Sequence, residues 1–176
     1  AATVVVTAPN GTTTKTYTLT VTRAPLQSVV DGASGMTVAI ANSSPTCTLT
    51  ATSFALASSA ATPPPAAFSY PYNMTAFTAA QCAPGSVLTV TLTFPNPVPT
   101  GAVLMKYNAA TTPPWQPFTP TINGTQVIYT IQDGGARDED ALVNGQFVDP
   151  VVLAAPPISL MVWRLSCWRI GGSAVR

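Results

Sequence analysis

The chain has 176 residues, which is enough for one well-buried domain with at most a small appendage. Charged residues make up 7% of it, against roughly 25% in an ordinary soluble domain, and the formal net charge is +1. Nucleic-acid binding needs a basic stripe that this composition cannot supply. The lack of histidine removes the usual general base and the usual zinc ligand, so we predict that the protein is not an enzyme.

A surface with so little charge favours association. Either Thr, Ser and Asn cover the surface instead, or much of it is buried against copies of the same chain. No apolar run approaches the ~18 residues that a transmembrane helix needs, so the sequence predicts no membrane span.

Residues 1–25 are predicted to form a β-hairpin. A β-branched run precedes the turn pair Asn10-Gly11, and an alternation of threonine with larger apolar residues follows it. A hairpin alone is at best marginally stable in water, and the valine run has apolar character on both faces, which suits an interior strand. We therefore predict that the hairpin is donated to the sheet of a neighbouring copy, through Val4, Val5, Val6, Tyr17, Leu19 and Val21. The alternative is that it folds back onto its own domain.

Residues 26–157 are predicted to form a β-sandwich or jelly roll without a helix longer than one turn. The Ala/Ser-rich segment Ala55–Ala67 contains three consecutive prolines and predicts an extended surface loop. Short apolar segments separated by Gly, Pro and Asn predict the strands Ser28–Asp31, Met36–Ala41, Cys47–Phe54, Phe68–Ala80, Val87–Phe94, Val103–Tyr107 and Gln126–Gln132.

Four motifs follow one another between residues 45 and 150. They are Phe68-Ser-Tyr-Pro-Tyr72, Cys82-Ala-Pro-Gly-Ser-Val-Leu-Thr-Val-Thr-Leu-Thr-Phe-Pro95, Met105-Lys-Tyr107 with Trp115, and Asp133-Gly-Gly-Ala-Arg-Asp-Glu-Asp-Ala-Leu-Val-Asn-Gly-Gln-Phe-Val-Asp-Pro150. In this order they resemble the bacterial "choice-of-anchor" surface domains, in particular the type that precedes an exosortase-type sorting tail. The resemblance implies a β-sandwich module of the bacterial cell surface with no known catalytic role.

Two flanking segments depart from that family. Thr16-Tyr-Thr-Leu-Thr-Val-Thr-Arg-Ala-Pro25 resembles the final strand of cadherin-like β-sandwich repeats, although no strands precede the hairpin in this sequence. The family domain is usually followed by Pro-Thr-Leu-x-x-Trp and a hydrophobic span, of which Pro157-Ile-Ser-Leu-Met-Val-Trp163 is a loose echo. We therefore predict that the tail, residues 158–176, contains a packed strand at Ile158–Trp168 rather than a sorting signal.

The resemblance also bears on the cysteines. Cys47 and Cys82 both lie in the matched region, and an exported protein meets an oxidising compartment. We therefore expect a disulfide between them, with Cys167 either buried or paired between chains.

Five of the six acidic residues crowd around glycines between positions 133 and 149. Carboxylate and amide oxygens are the ligands that Ca²⁺ prefers, although the spacing is not that of an EF-hand. One interpretation is a weak calcium site formed by Asp133, Asp138, Glu139, Asp140, Asn144 and Asp149. The other is a solvated acidic loop whose Asp side chains cap turns.

Two further patterns bear on glycans as partners. Asn-x-Ser/Thr triplets begin at Asn10, Asn42, Asn73 and Asn123, but three of these lie at predicted turns, where asparagine is common. The tryptophans could line a sugar site, although burial is the commoner role of this side chain; they are Trp115, Trp163 and Trp168.

These features together predict a structural subunit of an extracellular bacterial filament, a homopolymer held together by β-strand exchange. The alternative is a monomeric cell-surface adhesin module that presents its loops to a glycan or a protein. A glycosidase using Asp133 and Asp140 is a distant third.

Overall fold

The computed structural model describes residues 2–19 and 27–157, and the regular secondary structure of this part of the chain is almost entirely β-strand. Apart from a one-turn 3-10 helix at Ala57–Ser59, its regular elements are twelve strands: β1 Ala2–Thr7, β2 Thr14–Leu19, β3 Gln27–Val30, β4 Thr37–Ala41, β5 Thr48–Ala55, β6 Met74–Ala80, β7 Val87–Thr93, β8 Val103–Tyr107, β9 Trp115–Phe118, β10 Thr121–Asn123, β11 Gln126–Gln132 and β12 Phe147–Ala154. The predicted all-β class is confirmed. Val21 and the predicted strand Ile158–Trp168 lie outside the described residues.

Two five-stranded antiparallel sheets form the sandwich. Sheet 1 has the strand order β10-β11-β7-β4-β3, and sheet 2 has the order β5-β6-β12-β8-β9. Residues of both sheets meet in one buried cluster, in which Val38 and Val90 of sheet 1 lie with Phe77 and Leu104 of sheet 2. The strand order is not sequential, so the chain crosses between the sheets several times.

Alternation along β7 explains how the core is filled. Leu88, Val90 and Leu92 are buried, whereas the threonines between them are partly exposed on the outer face of sheet 1. Successive side chains of a strand point to opposite faces, so every second residue enters the core. None of the five strands of sheet 1 contains a charged residue.

Strand β12 is buried on both faces, because it lies in the middle of sheet 2 and the outer face there is covered. Val152 and Ala154 of β12 pack with Met105 and Trp115 in a second buried cluster. The cover comes from the segment between β5 and β6, which contributes Ala57 and, less deeply, Phe68. The predicted loop Ala55–Ala67 therefore has a packing role, and the strand predicted at Phe68–Ala80 is limited to Met74–Ala80.

The predicted N-terminal hairpin is present as a separate two-stranded sheet of β1 and β2. Its register pairs Val4 with Tyr17, Val6 with Lys15 and Ala2 with Leu19, and paired residues share one face of a sheet. Val5 lies on the opposite face with the threonines of both strands. Val5 is the apolar residue on that face, so the apolar character expected on both faces is concentrated on the face of Val4 and Val6, while the other is rich in threonine.

The disulfide between Cys47 and Cys82 is present, with an S–S distance of 2.03 Å. It joins the residue before β5 to the segment after β6, two neighbouring strands of sheet 2.

The side chain of Gln27 forms hydrogen bonds with the backbone on either side of Thr48, the first residue of β5. Its Nε2 donates to the Cys47 carbonyl (2.8 Å), and its Oε1 accepts from the Leu49 amide. These contacts fix β3 of sheet 1 to the start of β5 in sheet 2.

Replacing both cysteines, as Cys47→Ala/Cys82→Ala, is expected to lower the free energy of unfolding by about 2–4 kcal/mol, because the unfolded chain regains the freedom of a closed loop. Thermal or urea unfolding followed by circular dichroism measures this. A reducing agent should lower the melting temperature of the parent protein and leave that of the double variant unchanged. Equal melting temperatures for parent and variant would contradict the prediction.

Candidate functional site

The acidic segment begins with a buried carboxylate that clamps two loops together. Asp133 follows β11 and is 2% exposed, and its Oδ2 accepts hydrogen bonds from the backbone amides of Gly85 (2.7 Å) and Gly145 (3.0 Å). Gly145 has a φ of 75° and approaches Cys82 so closely that a β-carbon would collide with the Cys82 carbonyl. The clamp thus ties the turn before β7 to the loop before β12.

Asp138 forms hydrogen bonds within the acidic segment, residues 133–149. Its two carboxylate oxygens accept hydrogen bonds from the backbone amides of Gly134 (3.0 Å) and Val148 (3.0 Å). Burial raises the pKa of Asp138, and this outweighs the lowering by the two amide donors. Asp140 caps its own loop, since it accepts from the Leu142 amide and from the Asn144 side chain, each at 3.0 Å.

The six residues of the predicted calcium site are therefore not gathered around one point. Within residues 2–19 and 27–157, no group of three or more acidic, histidine or cysteine side chains is placed to hold a metal ion. Turn capping, the second interpretation, describes Asp140, whereas Asp133 and Asp138 are buried and bond backbone amides that are distant in sequence. Calcium binding stays a prediction, and in the structure these six residues do not form one set of ligands for the ion.

Asp149 belongs to a different group of side chains, in the core between the sheets. Its Oδ1 lies 2.7 Å from Lys106 Nζ, and its Oδ2 accepts a hydrogen bond of 2.6 Å from the hydroxyl of Tyr129. Lys106 comes from β8, Asp149 from β12 and Tyr129 from β11, so the group joins sheet 2 to sheet 1. Lys106 and Asp149 are 5% and 1% exposed. Burial, the Asp149 charge and the hydrogen bond to it hold the pKa of Tyr129 well above its usual value.

A second carboxyl lies next to this group. The Val148 carbonyl accepts hydrogen bonds both from Lys106 Nζ (3.1 Å) and from the backbone amide of Glu139 (2.9 Å). Burial raises the pKa of the Glu139 carboxyl, while the Lys106 charge lowers it and the Asp149 charge raises it. The Glu139 backbone and the Lys106 side chain are thus held by the same carbonyl oxygen.

Sequence reasoning missed Lys106 and Tyr129 as partners of Asp149. The signal that could have found them is strand alternation: Lys106 follows the inward residue Leu104 by two positions, and Tyr129 lies between the inward residues Val127 and Ile131. Charged side chains are rarely fully buried unless they are paired. A lysine and an aspartate at inward positions therefore predict each other.

The residues considered for glycans have mostly structural contacts. Trp115 is buried and its Nε1 donates to the Thr62 carbonyl (2.9 Å). Asn10 Oδ1 accepts from the Thr12 amide in its own turn, Asn42 Nδ2 donates to the Ser86 hydroxyl (3.1 Å), and Asn73 Nδ2 donates to Asp31 (2.9 Å). Asn123 is exposed in β10. Trp163 and Trp168 lie outside the described residues.

The apolar face of the hairpin is a surface without cover. Val4, Val6, Tyr17 and Leu19 share it and are 54%, 52%, 50% and 60% exposed. The charge on this face is Lys15, whose Nζ lies 5.4 Å from the centre of the Tyr17 ring. Contiguous exposed apolar side chains of this kind mark interaction surfaces.

The comparisons with known proteins add no family. No family model matches the chain, and no curated protein or solved structure shows significant similarity to it. In the described part of the chain, no helix has the length and hydropathy to cross a membrane.

The variant Asp133→Ala is expected to lower the free energy of unfolding by about 2–4 kcal/mol, because it leaves the amide of Gly85 and the buried amide of Gly145 without their acceptor. The control Asp140→Ala removes a carboxylate from the same loop at a more accessible position and should cost less than about 1 kcal/mol. Urea unfolding of the two variants measures the difference. Equal losses would contradict the clamp.

A chelator is expected to leave the melting temperature unchanged, because backbone amides, Lys106 and Tyr129 already occupy most carboxylate oxygens of the predicted calcium ligands. Thermal melts in EDTA and in millimolar Ca²⁺ test this. A melting temperature that falls with EDTA and recovers with Ca²⁺, but not with Mg²⁺, would establish the calcium site instead.

Proposed function

We propose that the chain is a structural subunit of an extracellular bacterial filament, in which the hairpin of one copy is donated to the next. The observation that carries the proposal is the exposed apolar face of β1 and β2. These strands pair only with each other within the described residues. A two-stranded hairpin is marginally stable alone, so a surface that covers this face stabilises both the hairpin and the assembly.

The alternation on the hairpin suits donation to a sheet. Val4 and Val6 in β1, and Tyr17 and Leu19 in β2, point to the same face at every second position. Strand addition uses backbone hydrogen bonds for affinity and pockets for alternate side chains for specificity. The threonines on the opposite face would then remain in water.

Among the four edge strands of the sandwich, β5 is the acceptor that the structure favours. The edges β3, β9 and β10 have four, four and three residues, and β9 contains Pro117. Short strands and prolines are features that protect edges from pairing. β5 has eight residues, and Gln27 bonds only the start of it, so Ala51–Ala55 offers an edge about as long as a hairpin strand.

A shallow groove beside this edge gives the donated side chains a place to lie. Ala51 and Ser53 of β5 line it together with Ala76 and Thr78 of β6, and Glu139 lies at its wall. Small side chains leave room for larger ones from a partner. Donor and acceptor surfaces are different parts of the chain, so the contact is heterologous and can propagate into a fibre.

The second candidate function is a cell-surface adhesin module, and the resemblance of residues 16–25 to the last strand of a cadherin-like repeat favours it. In that case, preceding strands of the same polypeptide would cover the apolar face, and copies would not polymerise. The uncharged outer face of sheet 1 and the loops would then be the surfaces presented to a glycan or a protein.

The double variant Val4→Thr/Val6→Thr is expected to raise the concentration needed for assembly about 10- to 100-fold, because two side chains that become buried gain a hydroxyl. The matched control Val5→Thr makes the same chemical change on the threonine face and should alter it little. Sedimentation and negative-stain images over a concentration series measure this.

Deletion of residues 1–19 completes the test. The truncated protein should remain folded by circular dichroism and should form no fibres, and a peptide of residues 1–19 should bind to it. A parent protein that is monomeric at every concentration would favour the adhesin module. Fibres of normal appearance from the truncated protein would overturn hairpin donation.

A further inference from the structure

A lysine and an aspartate face each other in the core, at the point where β12 loses one neighbour. β12 pairs with β6 from Phe147 onward. It pairs with β8 only from Val151 onward, and Val151 lies opposite Lys106 in the register. The Lys106 side chain extends along the unpaired edge of β12 and donates to the Val148 carbonyl and the Asp149 carboxylate. Two oppositely charged reactive groups are thus held at 2.7 Å in a site with little water.

As an ion pair this arrangement is a poor source of stability. Removing both charges from water costs several kcal/mol per ion, and their attraction in the interior often only offsets that cost. A covalent link would remove both charges and keep the connection between the strands.

We propose that Lys106 and Asp149 condense to an intramolecular isopeptide bond, an amide between Lys106 Nζ and Asp149 Cγ that cross-links β8 to β12. The reactants are one ammonium and one carboxylate, and the products are one amide and one water molecule. No oxidant, reductant or activating co-reactant is needed for this balance. The inference does not depend on the proposed filament function.

The geometry assigns each atom a part in the reaction. Proton transfer along the 2.7 Å contact gives a neutral amine and a carboxylic acid, and the amine lone pair then attacks Cγ. The Tyr129 hydroxyl donates to Oδ2 and stabilises the negative charge that develops on that oxygen. Oδ1 leaves as water after it has received a second proton.

Glu139 is the group placed to move that proton. Its backbone amide donates to the same Val148 carbonyl that accepts from Lys106 Nζ, which places this half-buried residue beside the ion pair, in the loop that leads into β12. It accepts a proton from the attacking nitrogen and returns it to the leaving oxygen. Burial raises the pKa of Glu139, which brings it nearer to the range in which a carboxyl can do both.

Proximity and orientation lower the barrier of the condensation. Condensation of an amine with a carboxylic acid is slow in water at neutral pH, but well-oriented groups in one molecule react with effective concentrations of about 10⁵–10⁸ M. The fold supplies the orientation, because β8 and β12 are fixed by ladder hydrogen bonds. The product amide is protected from hydrolysis by the same burial.

Mass spectrometry of the purified, folded protein tests the bond directly. After reduction of the disulfide and denaturation, the intact mass should be lower than the sequence mass by one water molecule. Cleavage after arginine cuts between Lys106 and Asp149 at Arg137, so the peptides 24–137 and 138–164 should remain joined as one branched species. An unchanged mass together with separate peptides would overturn the proposal.

Variants distinguish the chemistry from packing. Lys106→Arg keeps the positive charge without a reactive amine, so its mass should show no loss of water even if its stability falls. Glu139→Gln should slow or abolish the loss of water, while the matched neighbour Asp140→Asn should leave it complete. Complete cross-linking in Glu139→Gln would remove Glu139 from the mechanism, and loss of water in Lys106→Arg would place the modification elsewhere.

Discussion

The position of β12 is the constraint on which the rest of the sandwich depends. It is the middle strand of sheet 2, and most of its side chains are buried on one face or the other. A central strand with apolar residues on both faces needs a second layer. The segment after β5 provides that layer through Ala57 and, less deeply, Ala60 and Phe68, so an apparently irregular stretch of Ala, Ser and Pro has a packing role.

The same strand explains why the acidic segment is ordered. Asp133 and Asp138 lie in the loop that leads into β12. Their oxygens accept hydrogen bonds from backbone amides of that same loop, of the turn before β7 and of β12 itself. Loops that are buried have polar backbone groups that must be paired. Here buried carboxylates pair with them, so the acids fix the entry of β12 into the sheet.

The sequence was sufficient where one strand face is buried and the other is exposed. β7 and β11 have this alternation, and the strands predicted for them agree with the structure to within a residue. It was insufficient for β12, whose continuous apolar run follows the acids without an alternating pattern. β9 and β10 are short, and β9 contains a proline, so their period could not be recognised.

The candidate sites show the same limit. Acidic residues that are near each other in sequence were expected to act together. The side-chain partners of Asp149 are instead Lys106 and Tyr129, which are 43 and 20 residues away in the sequence. In the hairpin the three valines are consecutive. Which of them shares a face with Tyr17 and Leu19 depends on how β1 pairs with β2. Both outcomes depend on strand register, which a single sequence does not determine when the turn is six residues long.

The lack of charge on sheet 1 has a consequence for the medium in which the protein works. Dissolved ions screen interactions between charges over about 10 Å at 0.1 M salt, and they leave contacts between neutral surfaces almost unchanged. The side chains of the five strands of sheet 1 are threonine, serine, glutamine, asparagine, tyrosine and apolar residues, none of them charged. Contacts made by these side chains will therefore have nearly the same strength in fresh water, in brackish water and in the sea.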